Sequence, residues 1–142
     1  MALSEAVKCT VDVPVGALIL DESNGFRIIS TSFNQREILN DPLGHAELLA
    51  LRSAAQALGQ WRLQGLTLVC TLEPCPMCAE AIIQSRIKKV IFGAFDPVSG
   101  AAGSAFNLFA QRKNLPVPEV IGGILEKECA LVLTDFFAAK RK

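Results

Sequence analysis

The chain has 142 residues, 51% of them hydrophobic, with 14 basic and 14 acidic residues and a formal net charge of +0. One domain accounts for that length, and the balanced charge leaves no global field to draw in nucleic acid, so any RNA contact must rest on local basic patches. No apolar run reaches the length of a membrane span, and an odd count of five cysteines without a signal peptide argues against a disulfide scaffold and for a reducing cytoplasmic setting.

The elements follow in chain order. Residues 3–9 read as a short helix with Leu3, Ala6 and Val7 on one side. Residues 13–20 (VPVGALIL) are a continuous apolar run, the pattern of a buried strand. Residues 21–25 are a turn in which Asn24-Gly25 is a strong hairpin signal, and residues 26–32 return as the partner strand. Residues 34–44 are polar, contain a proline and a glycine, and read as a loop over the site. Residues 45–58 carry an apolar stripe (Leu48, Leu49, Leu51, Ala55, Leu58) and stop at Gly59, which makes them a helix.

Residues 66–71 (LTLVCT) are a central strand, residues 75–85 a second helix and residues 89–92 (KVIF) the next strand. Residues 96–104 (DPVSGAAGS) read as a substrate-facing loop, and residues 105–111 as a short helix in which Phe106, Leu108 and Phe109 are either core or a contact between subunits. Residues 117–121 are an edge strand, because Pro116 and Pro118 forbid a regular central one. Residues 124–142 form the last helix. Its Leu131, Val132, Phe136 and Phe137 are read as core, and it ends in Lys140, Arg141 and Lys142. Cys9, Cys70 and Cys129 sit in apolar settings as small core residues. Strand and helix alternate after the hairpin, so the later strands pair in parallel. The result is an α/β chain: a three-layer α/β/α sandwich around a mixed five-stranded sheet. Sites in such sheets form at the carboxyl ends of strands, where residues 72–74 and 93–96 fall.

Two short segments carry chemistry: His45-Ala46-Glu47 and Pro74-Cys75-Pro76-Met77-Cys78. Cys75 and Cys78 share a face of a helical turn. Pro76 suits the first helical position, which makes Cys75 the N-cap and sets both sulfurs at the positive end of a helix, where thiolate is favoured. His45 also starts a helix. A Cys-x-x-Cys alone fits a redox pair, half a structural zinc site or two core cysteines. His-x-Glu followed by Pro-Cys-x-x-Cys is the signature of zinc-dependent nucleobase deaminases. His45, Cys75 and Cys78 then hold one Zn2+, with the fourth corner open to water, and Glu47 moves protons instead of ligating.

The sequence resembles the bacterial tRNA-specific adenosine deaminases of the cytidine-deaminase-like superfamily. The resemblance rests on VPVGA (residues 13–17), DPLGHAE (41–47), TLEPCPMC (71–78), SRIKKVIFGAFDPVSGAAGS (85–104) and DFF (135–137). The zinc motif specifies only the superfamily; the FGA-x-D-x-x-x-GAAGS segment points to the tRNA enzymes. Phe95 departs from the pattern, which often has arginine there. The resemblance implies a homodimer that converts adenosine to inosine at the wobble position of a tRNA anticodon stem-loop. It matches His45, Cys75 and Cys78 to the zinc ligands and Glu47 to the proton shuttle. It also matches Asn34 to a residue bonding the flipped base, with Ala46 beside it in the substrate site, and Asp96 to one contacting the RNA sugar. Lys140, Arg141 and Lys142 fall in a region that touches the anticodon stem. Without the resemblance, Asn34 reads as a loop asparagine bonding its own backbone, and Asp96 as a turn former. The rival readings are a deaminase of a free base or nucleoside, of guanine or cytosine type; a silent RNA-binding subunit with structural zinc; and a thiol redox protein. The last leaves His45 and Glu47 without a task.

Overall fold

A computed structural model describes residues 1–140 of the chain. Five strands form one mixed sheet in the order β2-β1-β3-β4-β5. They are β1 (Gly16–Asp21), β2 (Arg27–Phe33), β3 (Thr67–Leu72), β4 (Lys89–Ala94) and β5 (Glu119–Ile121). The first three pair antiparallel, and β3, β4 and β5 run parallel. The helices are α1 (Ala2–Ala6), α2 (Arg36–Leu39), α3 (Ala46–Leu58), α4 (Pro76–Gln84), α5 (Leu108–Gln111) and α6 (Glu126–Lys140).

Alternation along the strands makes the two faces of the sheet different. Ala17, Ile19, Leu68, Cys70, Val90 and Phe92 point to one face, and all are buried. They join Ala50, Leu51 and Ala54 of α3 and Ile82 and Ile83 of α4 in one continuous core. The opposite face is covered more thinly, by α1 and α6, which leave an apolar cavity of about 190 Å³ over Leu18, Leu20, Val69 and Ile91. Burial raises the pKa of the Cys9, Cys70 and Cys129 thiols, in keeping with inert core cysteines.

Several expected elements differ in extent or role. The first strand begins at Gly16, not residue 13, because Pro14 has no N–H to give a ladder. At Gly16 the strand passes so close to α1 that an added Cβ would stand 2.0 Å from the Ala2 carbonyl oxygen. The segment read as a loop, residues 34–44, contains the short helix α2. Its first N–H groups, those of Arg36 and Glu37, donate to the buried Asp12 carboxylate at 3.1 Å. That cap comes from a distant part of the chain and leaves no local sequence signal. The last helix is not core. Leu131 is 58% and Phe137 45% exposed, and Cys129 is its buried residue. The 105–111 segment divides: Phe109 is buried while Phe106 faces solvent.

Candidate metal centre and active site

His45, the only histidine of the chain, is the N-cap of α3. Cys75 is the N-cap of α4, with Pro76 at its first position. Cys78 lies on the first turn of α4. Two helix N-termini therefore converge on one point, which favours anionic ligands there. His45 Nδ1 lies 3.4 Å from Cys78 Sγ and 3.7 Å from Cys75 Sγ. The three donor atoms all lie within 4.8 Å of one another. Tetrahedral zinc bonds of about 2.0–2.3 Å place a nitrogen and a sulfur roughly 3.5 Å apart, so the donor set fits that ion.

The protonation of the group suits a cation. Cys75 is held down at about 4, chiefly by a hydrogen bond from the Cys78 thiol and further by His45, against the effect of burial. The same shared proton, together with burial, raises Cys78. His45 is raised mainly by its bond to Cys75. One sulfur is thus already a thiolate, and the other gives up its proton when a metal arrives. When bound, zinc supplies Lewis-acid chemistry: it makes a water at the open corner acidic near neutral pH.

Glu47 is the second residue of α3, 4% exposed, and lines the same cavity without belonging to the donor set. Burial pushes its carboxyl up to about 7, opposed by its own backbone N–H and by His45. A carboxyl poised near neutrality can both take and return a proton.

The cavity, about 320 Å³, is lined by Asn34, Arg36, His45, Glu47, Cys75 and Asp96 among others. Asn34 is buried, and its side chain already works within the fold. Its Oδ1 accepts from Ala46 N–H at 2.7 Å and its Nδ2 donates to the Val13 carbonyl at 2.9 Å. An amide has two donors and two acceptor lone pairs, so Asn34 can brace the start of α3 and still offer one of each to a ligand. Ala46, expected in the substrate site, is fully buried, is not among the residues lining the cavity, and donates its N–H to Asn34. The Asp96 Oδ1 accepts from the N–H groups of Val98 and Ser99 at 3.0 and 3.1 Å, a turn-forming role, while the residue also lines the cavity. Lys140 lies on an adjoining cavity, its ammonium 5.2 Å above the Phe136 ring. Arg141 and Lys142 lie outside the described residues.

Sequence reasoning missed Glu73, Asp12 and Arg36. Glu73 and Arg36 line the cavity, and Asp12 caps α2. Only Glu73 left a trace, as the residue leading a strand into Cys75.

Residues 1–94 match the profile of the cytidine and deoxycytidylate deaminase zinc-binding region. A tRNA-specific adenosine deaminase of Bacillus subtilis (strain 168) is 46% identical over 143 residues, covering 99% of this chain and 87% of its own. The chain belongs to the tRNA-specific adenosine deaminase family. A solved structure from a study of A-to-I editing by tRNA:A34 deaminases at the wobble position of transfer RNA superposes with a TM-score of 0.88. It is 42% identical and covers 93% of this chain and 95% of its own. The Nitrosomonas europaea guanine deaminase shares the fold, with a TM-score of 0.76 at 21% identity over 88% of this chain and 73% of its own. The deaminase family is zinc-dependent, and among the described residues His45, Cys75 and Cys78 are placed to hold the ion.

Proposed function

We propose that this deaminase hydrolyses the exocyclic amine of adenosine at the wobble position of a tRNA anticodon, releasing ammonia and leaving inosine. The observation that carries this reading over a free-base deaminase is the surround of the catalytic cavity. Two further cavities adjoin it and share Val13 with it. One, about 250 Å³, is lined by Arg36, Lys140, Phe136 and Phe137, together with Asp12 and Glu37. The other, about 410 Å³, is lined by Phe95, Val98, Leu133 and Phe137. Exposed aromatic rings beside cations suit stacked bases with phosphates. A free base has no need of such flanks.

The chemistry assigned to the chain's own residues is proton transfer. Glu47 takes one proton from the water that attacks the amine-bearing carbon of adenine and passes it to a ring nitrogen; it then takes the second proton from the hydroxyl now on that carbon and delivers it to the amine, which leaves as ammonia while the carbonyl of inosine forms. The target base must leave its stack to reach Glu47, and a tRNA loop makes that cheaper than a duplex. Asn34 supports the reading through its spare donor and acceptor, and Asp96 through its place at the cavity wall. Neutral overall charge leaves attraction to local groups such as Arg36 and Lys140. A homodimer belongs to the same proposal, with exposed Phe106 as a candidate contact. All five cysteines are free thiols, which supports a reducing cytoplasmic setting. Among the described residues no helix is long and apolar enough to cross a membrane.

Incubation with an anticodon stem-loop, then sequencing, should reveal inosine at the wobble base. Parallel incubations with adenosine, guanine and cytosine should release little ammonia. Ammonia from a free base alone would defeat the proposal. Phe137→Ala should raise the KM for the stem-loop with kcat little changed, because losing one base stack costs about 1–3 kcal/mol of binding. An unchanged KM would remove Phe137 from the RNA surface.

A further inference from the structure

Glu73 is 2% exposed and stands two residues before the ligand Cys75, yet it is absent from the metal donor set. Its carboxylate is saturated from one direction. Oε1 accepts from Asp96 N–H at 3.0 Å and from the Ser104 hydroxyl; Oε2 accepts from Ala102 N–H at 2.9 Å and Ser104 N–H at 3.2 Å. Two oxygens offer about four lone-pair sites, and all four are spent on one loop, residues 96–104. No capacity is left for the proton traffic assigned to Glu47.

The same loop is clasped from below by backbone. Ala101 N–H donates to the Pro74 carbonyl at 2.7 Å, and just ahead of the loop Glu73 N–H donates to the carbonyl of Ala94, the last residue of β4, at 2.9 Å. The approach is so close that a Cβ on Gly100 would stand 2.4 Å from the Glu73 carboxyl carbon. This loop carries Asp96 and Ser99 to the wall of the catalytic cavity. The segment bearing the metal ligand and the segment bearing the cavity wall are therefore locked together through one buried carboxylate.

We propose that Glu73 is a positioning residue for the substrate: it fixes the 96–104 loop so that Asp96 and Ser99 meet the target nucleotide, and it takes no part in metal binding or proton transfer. This rests on the reading that the loop faces an RNA substrate. In Glu73→Gln an amide NH2 replaces one acceptor oxygen and confronts two donors of the loop. In Ser104→Ala the carboxylate stays and one of its four donors is lost.

The test uses the full chain loaded with zinc, in both variants. Hydrogen exchange comes first, because it needs no substrate. The amides of residues 96, 102 and 104 should lose protection, with β3 and α4 unchanged. Unaltered exchange in both variants would overturn the clamp whatever the enzyme acts on. Kinetics on the anticodon stem-loop follow. Relative to the native chain, KM should rise roughly tenfold in Glu73→Gln, the scale of one lost hydrogen bond to a charged group, with zinc content and kcat retained. Loss of zinc would make Glu73 a support for the ligands, and a fall in kcat at constant KM would place it in the chemistry. Either result overturns the proposal. Should Glu73→Gln fail to fold, Ser104→Ala decides alone: a several-fold rise in KM is expected, and an unchanged KM overturns it. A native chain inactive on the stem-loop defeats the RNA reading while leaving the exchange result standing.

Discussion

Glu47→Gln should keep one zinc per chain and its fold while losing about a hundred- to ten-thousand-fold in turnover, the usual worth of general acid–base catalysis. Glutamine fills the same buried volume and carries no charge, so the packing at the start of α3 has no reason to change. The metal should stay, because the three donor atoms that gather within 4.8 Å belong to His45, Cys75 and Cys78. What is lost is a group that can both take and return a proton. Glu47→Ala should behave alike in activity, with an added cost in stability for the hole it leaves. The pH profile of the native enzyme carries the same signature. Burial holds the Glu47 carboxyl up at about 7, and a cation beside it pulls the value down. Glu47 must be ionised to accept the first proton, so kcat/KM should fall as pH drops, with the acid limb at or below pH 7. An ammonia-release assay with metal analysis on the same sample settles the matter. Substantial turnover in Glu47→Gln, or a variant that has lost its zinc, would each reject the role.

Removing the metal, or replacing Cys78 with serine, should abolish activity and lower the melting temperature together. The ligands come from two helix starts, with His45 30 residues from Cys75 and 33 from Cys78, so the ion ties α3 to α4. A ligand present at a thousand times its Kd stabilises a fold by about 4 kcal/mol. At about 2–4 °C per kcal/mol for a domain of this size, chelation should cost on the order of ten degrees. The apo chain should still fold, since its core of Ile19, Leu68, Ile82, Ile83, Val90 and Phe92 forms without the metal ligands. Thermal melts with and without chelator, and with zinc restored, test both halves. Full activity in zinc-free protein would dispose of the metal's role. A melting point indifferent to zinc would show that the ion does not tie the helices.

The elements around the site were legible where local rules are strong. The turn expected over residues 21–25 stands between β1 and β2 as one 3-10 turn, Glu22–Asn24, closed by Gly25 in the left-handed region at φ 63°. Pro76 after Cys75, and Gly59 after Leu58, mark the helix start and stop that the structure shows. The reading failed where the partner was remote. Asp12 caps α2 from more than twenty residues away. The last helix looked apolar enough for core, but it rests on the thinly covered face of the sheet and keeps Leu131 and Phe137 at the surface.

By itself the sequence determined the kind of chemistry: one imidazole, two thiols and a carboxylate at spacings set by helical turns, which are local and survive without knowledge of the rest. Tertiary structure alone decided how the site is held and what shape it presents. Glu73 gathers donors from a loop more than twenty residues on, Asn34 braces α3 from the preceding loop, and α6 brings Phe137 beside the cavity. Those are contacts between segments far apart in the chain. Their pairing depends on which surfaces the folded core brings face to face, and no local pattern records it.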